Sequence, residues 1–149
     1  MQLSLASYFA GLAIGQLVYG PLADRFGRRT PLLVGVSLFT LASLACAVAP
    51  SLEWLIAARF VQALGGCAGM VISRAVVRDL CDPISSAKVF SQLMLVMGLA
   101  PILAPVAGGL LLNAFGWPAI FVCLTLFSAA CLVALSLWLP ETLLSLIHI

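Results

Sequence analysis

The charged residues of this chain are few and grouped. The stretch GPLADRFGRR, Gly20 to Arg29, sets Asp24, Arg25, Arg28 and Arg29 between two long apolar runs, and its three arginines are close to half of the 7 basic residues. Charge pairing is the chemistry open to such a cluster: a carboxylate and several guanidinium groups in one turn can form ion pairs that are made and broken. A plainer reading is a polar turn whose arginines orient the chain. That reading explains the charges but not their spacing. Gly20 and Pro21 allow close packing and a bend at a helix end, Gly27 allows a tight turn, and Arg28 with Arg29 opens the next segment. A second candidate is Arg59, alone within an apolar run, with Gln62 about one helical turn further on. An arginine at the centre of a bilayer costs about 2.5–3.5 kcal/mol on insertion scales. Either its long stem snorkels to the interface, or it is an inward-facing charge beside a pathway, with an acid or a substrate as its partner. A third is GLAPILAPVAGGLLL, Gly98 to Leu112. Pro101 and Pro105 break backbone hydrogen bonds and bend a helix, while Gly108 and Gly109 remove bulk so that another helix can approach. A simple packing kink would use the same residues.

Composition limits what this chemistry can be. The chain has 149 residues, 64% hydrophobic and 8% charged, against about 25% charged in ordinary soluble domains. A soluble surface needs charge to stay dispersed, so the chain reads as a membrane protein in contact with lipid. A net charge of +2 is too small to suggest a nucleic-acid partner. The cysteines, Cys46, Cys67, Cys81, Cys123 and Cys131, form no CxxC pair, and all but one fall inside apolar runs, where cysteine acts as a small hydrophobe. No disulfide framework, metal site or organic cofactor is expected. The single histidine, His148, lies in the last residues. With no Ser/His/Asp or Cys/His set, phosphate loop or paired carboxylates, enzyme chemistry has little to build on.

The polar residues must therefore be positioned by membrane helices. Five apolar runs are long enough to cross a bilayer, which takes about 20 helical residues: Leu3–Ala23, Leu32–Ala49, Leu52–Leu80, Val89–Leu112 and Trp117–Leu139. Backbone groups in lipid must bond internally, so these runs are predicted as helices. The first is no signal peptide, because it lacks a basic start and leads into Asp24 and Arg25 rather than a small-residue cleavage site. Arg25, Arg28 and Arg29 follow the first run, and Arg74, Arg78 and Lys88 surround the end of the third; the connections Pro50–Glu53 and Asn113–Trp117 carry no lysine or arginine. With five spans, both basic connections fall on one side. The positive-inside rule makes that side cytoplasmic, which places the N-terminus outside and the C-terminus inside. Trp54, Trp117 and Trp138 stand at span ends, where indole rings favour the interface. An exported N-terminus with no preceding helix implies that one span is missing upstream, so that five spans belong to a bundle of six. Gly11 with Gly15 and Gly65 with Gly69 have GxxxG spacing and read as helix contacts. Asp79 and Asp82 read as loop caps.

The motifs together resemble the major facilitator superfamily. The loop between the second and third helices of that family runs Gly, two variable positions, a small residue, Asp, Arg, a variable position, Gly, Arg, Arg or Lys. Gly20, Ala23, Asp24, Arg25, Gly27, Arg28 and Arg29 match it. Arg59, Gln62 and the following glycines resemble the fourth-helix motif of proton-coupled members, with the glycine displaced by Ala63 and Leu64. Pro105, Gly108 and Gly109 match the end of the fifth-helix antiporter motif, where Ala104 and Ala100 replace glycines. QLSLASYFAGLAIGQLVYGPLADRFGRR, SRAVVRDL and LPETL look most like the bicyclomycin/chloramphenicol-resistance type of drug:proton antiporter.

The resemblance implies an all-α membrane fold in which residues 1–143 are helices two to six of the six-helix N-terminal bundle. It implies a cytoplasmic latch at Gly20, Asp24, Arg25, Gly27, Arg28 and Arg29, proton coupling at Arg59 and Gln62, and a kinked interface helix at Pro101, Pro105, Gly108 and Gly109. The implied activity is efflux of hydrophobic or amphipathic drugs across a bacterial inner membrane, with the proton gradient as energy source. A first helix and a C-terminal six-helix bundle are then the missing partners, any carboxylate partner of Arg59 lies in that first helix, and this chain alone transports nothing. The alternatives are a metabolite or sugar carrier of the same family, or a five-span protein with a structural role. The last residues, LSLIHI (Leu144–Ile149), do not resemble the family. They correspond to CTG-TCT-CTT-ATA-CAC-ATC, a transposase sequencing-adapter end, and are read as adapter read-through without functional weight.

Overall fold

Hydrocarbon leaves a backbone no external hydrogen-bond partner, and the apolar runs fold accordingly. In the computed structural model, which describes residues 2–138, the chain forms α1 (Gln2–Phe26), α2 (Arg29–Ala47), α3 (Leu52–Leu80), α4 (Pro83–Phe115) and α5 (Pro118–Trp138). Among the described residues there is no strand. All 5 helices are long and apolar enough to cross a membrane, so the all-α membrane fold expected from the sequence is the one adopted. The LPETL segment and the LSLIHI tail, with His148, lie outside the described residues.

Local chemistry sets the helix ends. Ser51 caps α3 by accepting a hydrogen bond on Oγ from the Trp54 amide at 3.3 Å. The Trp54 indole Nε1 donates to the Ala45 carbonyl at 3.2 Å, which pins the α2–α3 turn. Asp82 caps α4, accepting from the Ser85 amide at 3.4 Å, and Pro83 follows in the first turn, where a missing N–H costs nothing. Helix α4 therefore starts well before the apolar run at Val89: the cap makes residues 83–88 helical although they are not apolar. Asp82 thus has the capping role read from the sequence, whereas Asp79 lies within α3.

Helix α3 is the hub. It packs against α1 on one side and α2 on another, and α5 packs on α2. Small residues make these contacts close. Gly11 of α1 faces the Phe60 carbonyl and Ala63 Cβ, Gly15 faces Cys67, and Gly35 of α2 faces Ala68. A Cβ at Gly65 would stand 2.6 Å from the Gly35 carbonyl oxygen and 2.9 Å from Phe39 Cα, so only glycine fits this crossing. Around it lies a core of Tyr19, Ala23, Leu32, Cys67, Ala68, Ile72 and Val76. Thr40 Oγ1 donates to Ser128 Oγ at 2.9 Å, linking α2 to α5. The outward faces carry exposed Leu17, Leu103 and Phe127, as lipid-facing helices do.

One glycine reading changes, and two glycines of α4 face open space. Gly69 makes no close helix contact: it borders an open cleft between α3 and α4 with Met70, Ser73, Phe90 and Met94, because α4 stands off from α3 there. Gly108 and Gly109 likewise meet nothing within 4 Å, and α4, which contains Pro101 and Pro105, has no buried residue.

Candidate functional site

Two polar clusters interrupt the apolar bundle. The first lies at the α1–α2 turn. Gly27 adopts φ of +90°, a left-handed backbone that L side chains rarely take, and this lets the chain reverse between Phe26 and Arg29. Arg28 occupies the N-cap position of α2 without capping it through its side chain. The side chain turns into the bundle instead. Its Nη1 lies 2.7 Å from Asp24 Oδ1, and its Nε donates to Asp79 Oδ2 at 2.9 Å. One guanidinium thus ties the end of α1, the start of α2 and the end of α3. The two carboxylates differ in setting: the Asp79 side chain is 11% exposed and that of Asp24 69%, against 7% for Arg28. Burial opposes the Arg28 charge, but the hydrogen bonds and charges of Asp79 and Asp24 outweigh it, so the pKa is raised above the ordinary arginine value.

The other residues of the motif are spread around this pair. Arg29 Nη2 donates to the Ser136 carbonyl of α5 at 2.8 Å. Arg25 is exposed and lies 5.5 Å from the Phe26 ring centroid. Gly20 has open space where a Cβ would stand. It lines a cavity of about 390 Å³ with Asp24, Arg28, Arg74, Arg78 and Phe90. Read as a loop cap from the sequence, Asp79 is instead the largely shielded partner of Arg28. One sequence signal could have found it: Asp24 and Asp79 each border a basic connection, and those connections share one side.

The second cluster is at Arg59. Its Nη1 donates to Gln62 Oε1 at 3.0 Å, one helical turn away on α3. The Gln62 Nε2 donates to Ser43 Oγ of α2 at 2.8 Å, and both Gln62 and Ser43 are buried. The guanidinium lies 4.5 Å from the Tyr8 ring centroid on α1 and 5.8 Å from that of Phe121 on α5. Arg59 therefore faces inward rather than snorkelling along the outside. It lines a cavity of about 510 Å³ with Leu5, Leu112, Trp117, Phe121 and Leu124. Ser43 and Tyr8 were missed in the sequence because a lone hydroxyl or phenol in an apolar run has no periodic signature. Pro101, Pro105, Gly108 and Gly109 on α4 join neither cluster. Among the described residues, no group of His, Cys, Asp or Glu could hold a metal ion.

Membrane-length helices packed through glycines, with an ion-pair knot at one turn and a guanidinium held inside, define a polytopic membrane protein with polar clusters within its bundle. The chain belongs to the Major Facilitator Superfamily, whose family profile matches residues 1–145. It is 45% identical over 145 residues to the uncharacterized MFS-type transporter YdgK of Bacillus subtilis. It is 37% identical over 142 residues to multidrug resistance protein D of Escherichia coli and 38% identical over 142 residues to a bicyclomycin resistance protein homolog of Haemophilus influenzae. Each alignment covers 95% or 96% of this chain but 36% of the relative, so the chain spans about a third of the curated proteins it matches.

Proposed function

We propose that the chain is part of a proton-coupled multidrug efflux carrier that works by alternating access, and that it carries no enzyme activity. The observation that carries the reading is the Arg59–Gln62–Ser43 chain of hydrogen bonds beside an apolar cavity. A charge held inside a membrane bundle is a functional site by default. Similarity to a multidrug resistance protein and to a bicyclomycin resistance homolog favours hydrophobic or amphipathic drugs as cargo.

In this reading, residues 1–143 are helices two to six of a six-helix N-terminal bundle, and the described helices have Arg28, Asp24 and Asp79 at their cytoplasmic end. Gly20, Asp24, Arg25, Gly27, Arg28 and Arg29 form a latch against the C-terminal six-helix bundle, made and broken as the two bundles rock. The buried Arg28–Asp79 pair is its fixed part and the exposed Asp24 its mobile part. Arg59 and Gln62 serve proton coupling. Helix α4, whose Pro101, Pro105, Gly108 and Gly109 face open space, is the helix that partners pack against. Those partners are a first helix, the second bundle and membrane lipid; nucleic acid is not among them. No cofactor is required, because the proton gradient supplies the energy. The protein resides in a bacterial inner membrane, with Gln2 near the outer face and Trp138 near the cytoplasmic face.

The test is ethidium accumulation in an efflux-deficient bacterial host. The reading requires that this chain, joined to the remaining helices of a carrier of this type, lowers accumulation. It requires that an uncoupler and Arg59→Ala each abolish the effect, and that the chain alone has none. Uncoupler-insensitive efflux, or full activity of the Arg59→Ala form, overturns it. Single cysteines placed at Glu53 and Arg78 check orientation: a membrane-impermeant maleimide applied to intact cells should label the first and spare the second.

A further inference from the structure

An intramembrane guanidinium needs partners that offset its cost in the bilayer. Among the described residues, an amide and two aromatic rings meet Arg59. What surrounds Arg59 is aromatic. The Tyr8 ring of α1 lies 4.5 Å from the guanidinium carbon, well inside the range where the negative face of a ring attracts a cation, and the Phe121 ring of α5 lies 5.8 Å away, at the edge of it. Phe121 is backed in turn by Trp117, whose ring meets it edge-on at 6.1 Å. The remaining anchor is Gln62 Oε1, with the amide held in orientation by Ser43.

We propose that Tyr8 is a positioning residue for Arg59. Together with Phe121 it forms an aromatic clamp that holds the guanidinium between α1, α3 and α5, beside the cavity lined by Leu112, Phe121 and Leu124. A ring face attracts the cation but takes no proton and forms no strong directional bond, so the clamp orients the charge without neutralising it. It is the face of Tyr8 that matters, since the Arg59 contact is to the ring, so Tyr8→Phe preserves the device and Tyr8→Leu removes it. The consequence for transport rests on the efflux reading above; the clamp itself does not.

The experiment replaces Tyr8 with phenylalanine and then with its mono-, di- and trifluorinated forms, introduced by nonsense suppression. Fluorination drains negative potential from the ring face with little change of size, so folding is kept and only the cation attraction is graded. The readout is NMR of the full chain in detergent micelles, following the side-chain Nε–H signal of Arg59, assigned by its loss in Arg59→Lys. The expected result is an upfield ring-current shift in the native and Tyr8→Phe forms that shrinks stepwise with each fluorine and is lost in Tyr8→Leu. Phe121→Leu should reduce it less, in keeping with the longer distance. An Arg59 signal that is the same across the fluorine series overturns the proposal. Ethidium efflux of the same series in the transport-competent protein separates the two readings: a graded NMR shift with flat efflux keeps the clamp and removes its role in transport.

Discussion

Replacing Asp79 with alanine should destabilise the chain far more than replacing Asp24, although both carboxylates bond the same guanidinium. Burial sets the difference. The Arg28 side chain is 7% exposed and that of Asp79 11%, so their 2.9 Å contact is largely shielded from water. Removing one partner of a buried pair costs about 3–5 kcal/mol, because it leaves the other charge buried without compensation. Arg28 keeps Asp24 on Nη1 at 2.7 Å, which puts the expected loss at the lower end, about 3 kcal/mol. That is about two orders of magnitude in the unfolding equilibrium. Asp24 is 69% exposed, and an exposed pair contributes about 0–1 kcal/mol. The assay is unfolding of the chain in dodecyl maltoside by titration with sodium dodecyl sulfate, followed by far-ultraviolet circular dichroism. Asp79→Asn should resemble Asp79→Ala, since the charge rather than the shape is lost. A double-mutant cycle with Arg28→Ala should show strong coupling to Asp79 and weak coupling to Asp24. Replacing both members, Arg28→Met with Asp79→Leu, should restore most of the stability. A larger loss for Asp24→Ala than for Asp79→Ala, or an Asp79→Ala form as stable as the parent, would refute the reasoning.

Four further predictions come from positions with contrasting surroundings. Gly65→Val should cost about 1–3 kcal/mol by overpacking, because its Cβ would meet the Gly35 carbonyl and Phe39. Gly69→Val, with nothing within 4 Å, should leave the same unfolding curve unchanged. Gly27→Ala should cost about 1–2 kcal/mol, the steric penalty of a left-handed backbone for a residue with a Cβ at a φ of +90°. Hydrogen bonds from Ser85 hold the Asp82 carboxyl below its usual pKa, so its contribution to helix capping is present above the unfolded value of about 3.9 and is lost as pH falls through the lowered folded value. Amide exchange at Ser85 should therefore quicken on acidification through that window in the native chain, and should already be fast, without that step, in Asp82→Ala.

The membrane character, the five helices and the family were all legible in the chain as written. Apolar length and the lack of charge leave helices as the only way to satisfy a buried backbone, and that constraint acts locally. The pattern from Gly20 to Arg29 is equally local, because a tight turn with φ of +90° at Gly27 needs glycine whatever the rest of the fold does. The pairing of Arg59 with Gln62 could be read for the same reason, since residues three apart on a helix are neighbours.

Which groups meet across helices was not legible. Asp79 lies 51 residues from Arg28 in sequence; its place beside a basic connection puts it on the same side as Arg28 but does not say that the two meet. Tyr8, Ser43 and Phe121 reach Arg59 and Gln62 only because α1, α2 and α5 each bring one face to that point. Gly65 and Gly69 share a helix and a spacing motif, yet only the first meets another backbone, because α2 closes on α3 and α4 does not. The sequence by itself determined the elements, the turn and the family, since these follow from forces that act within a few residues. The tertiary structure alone decided which charge is buried, which is exposed and what holds Arg59, since those depend on the rotation and approach of whole helices.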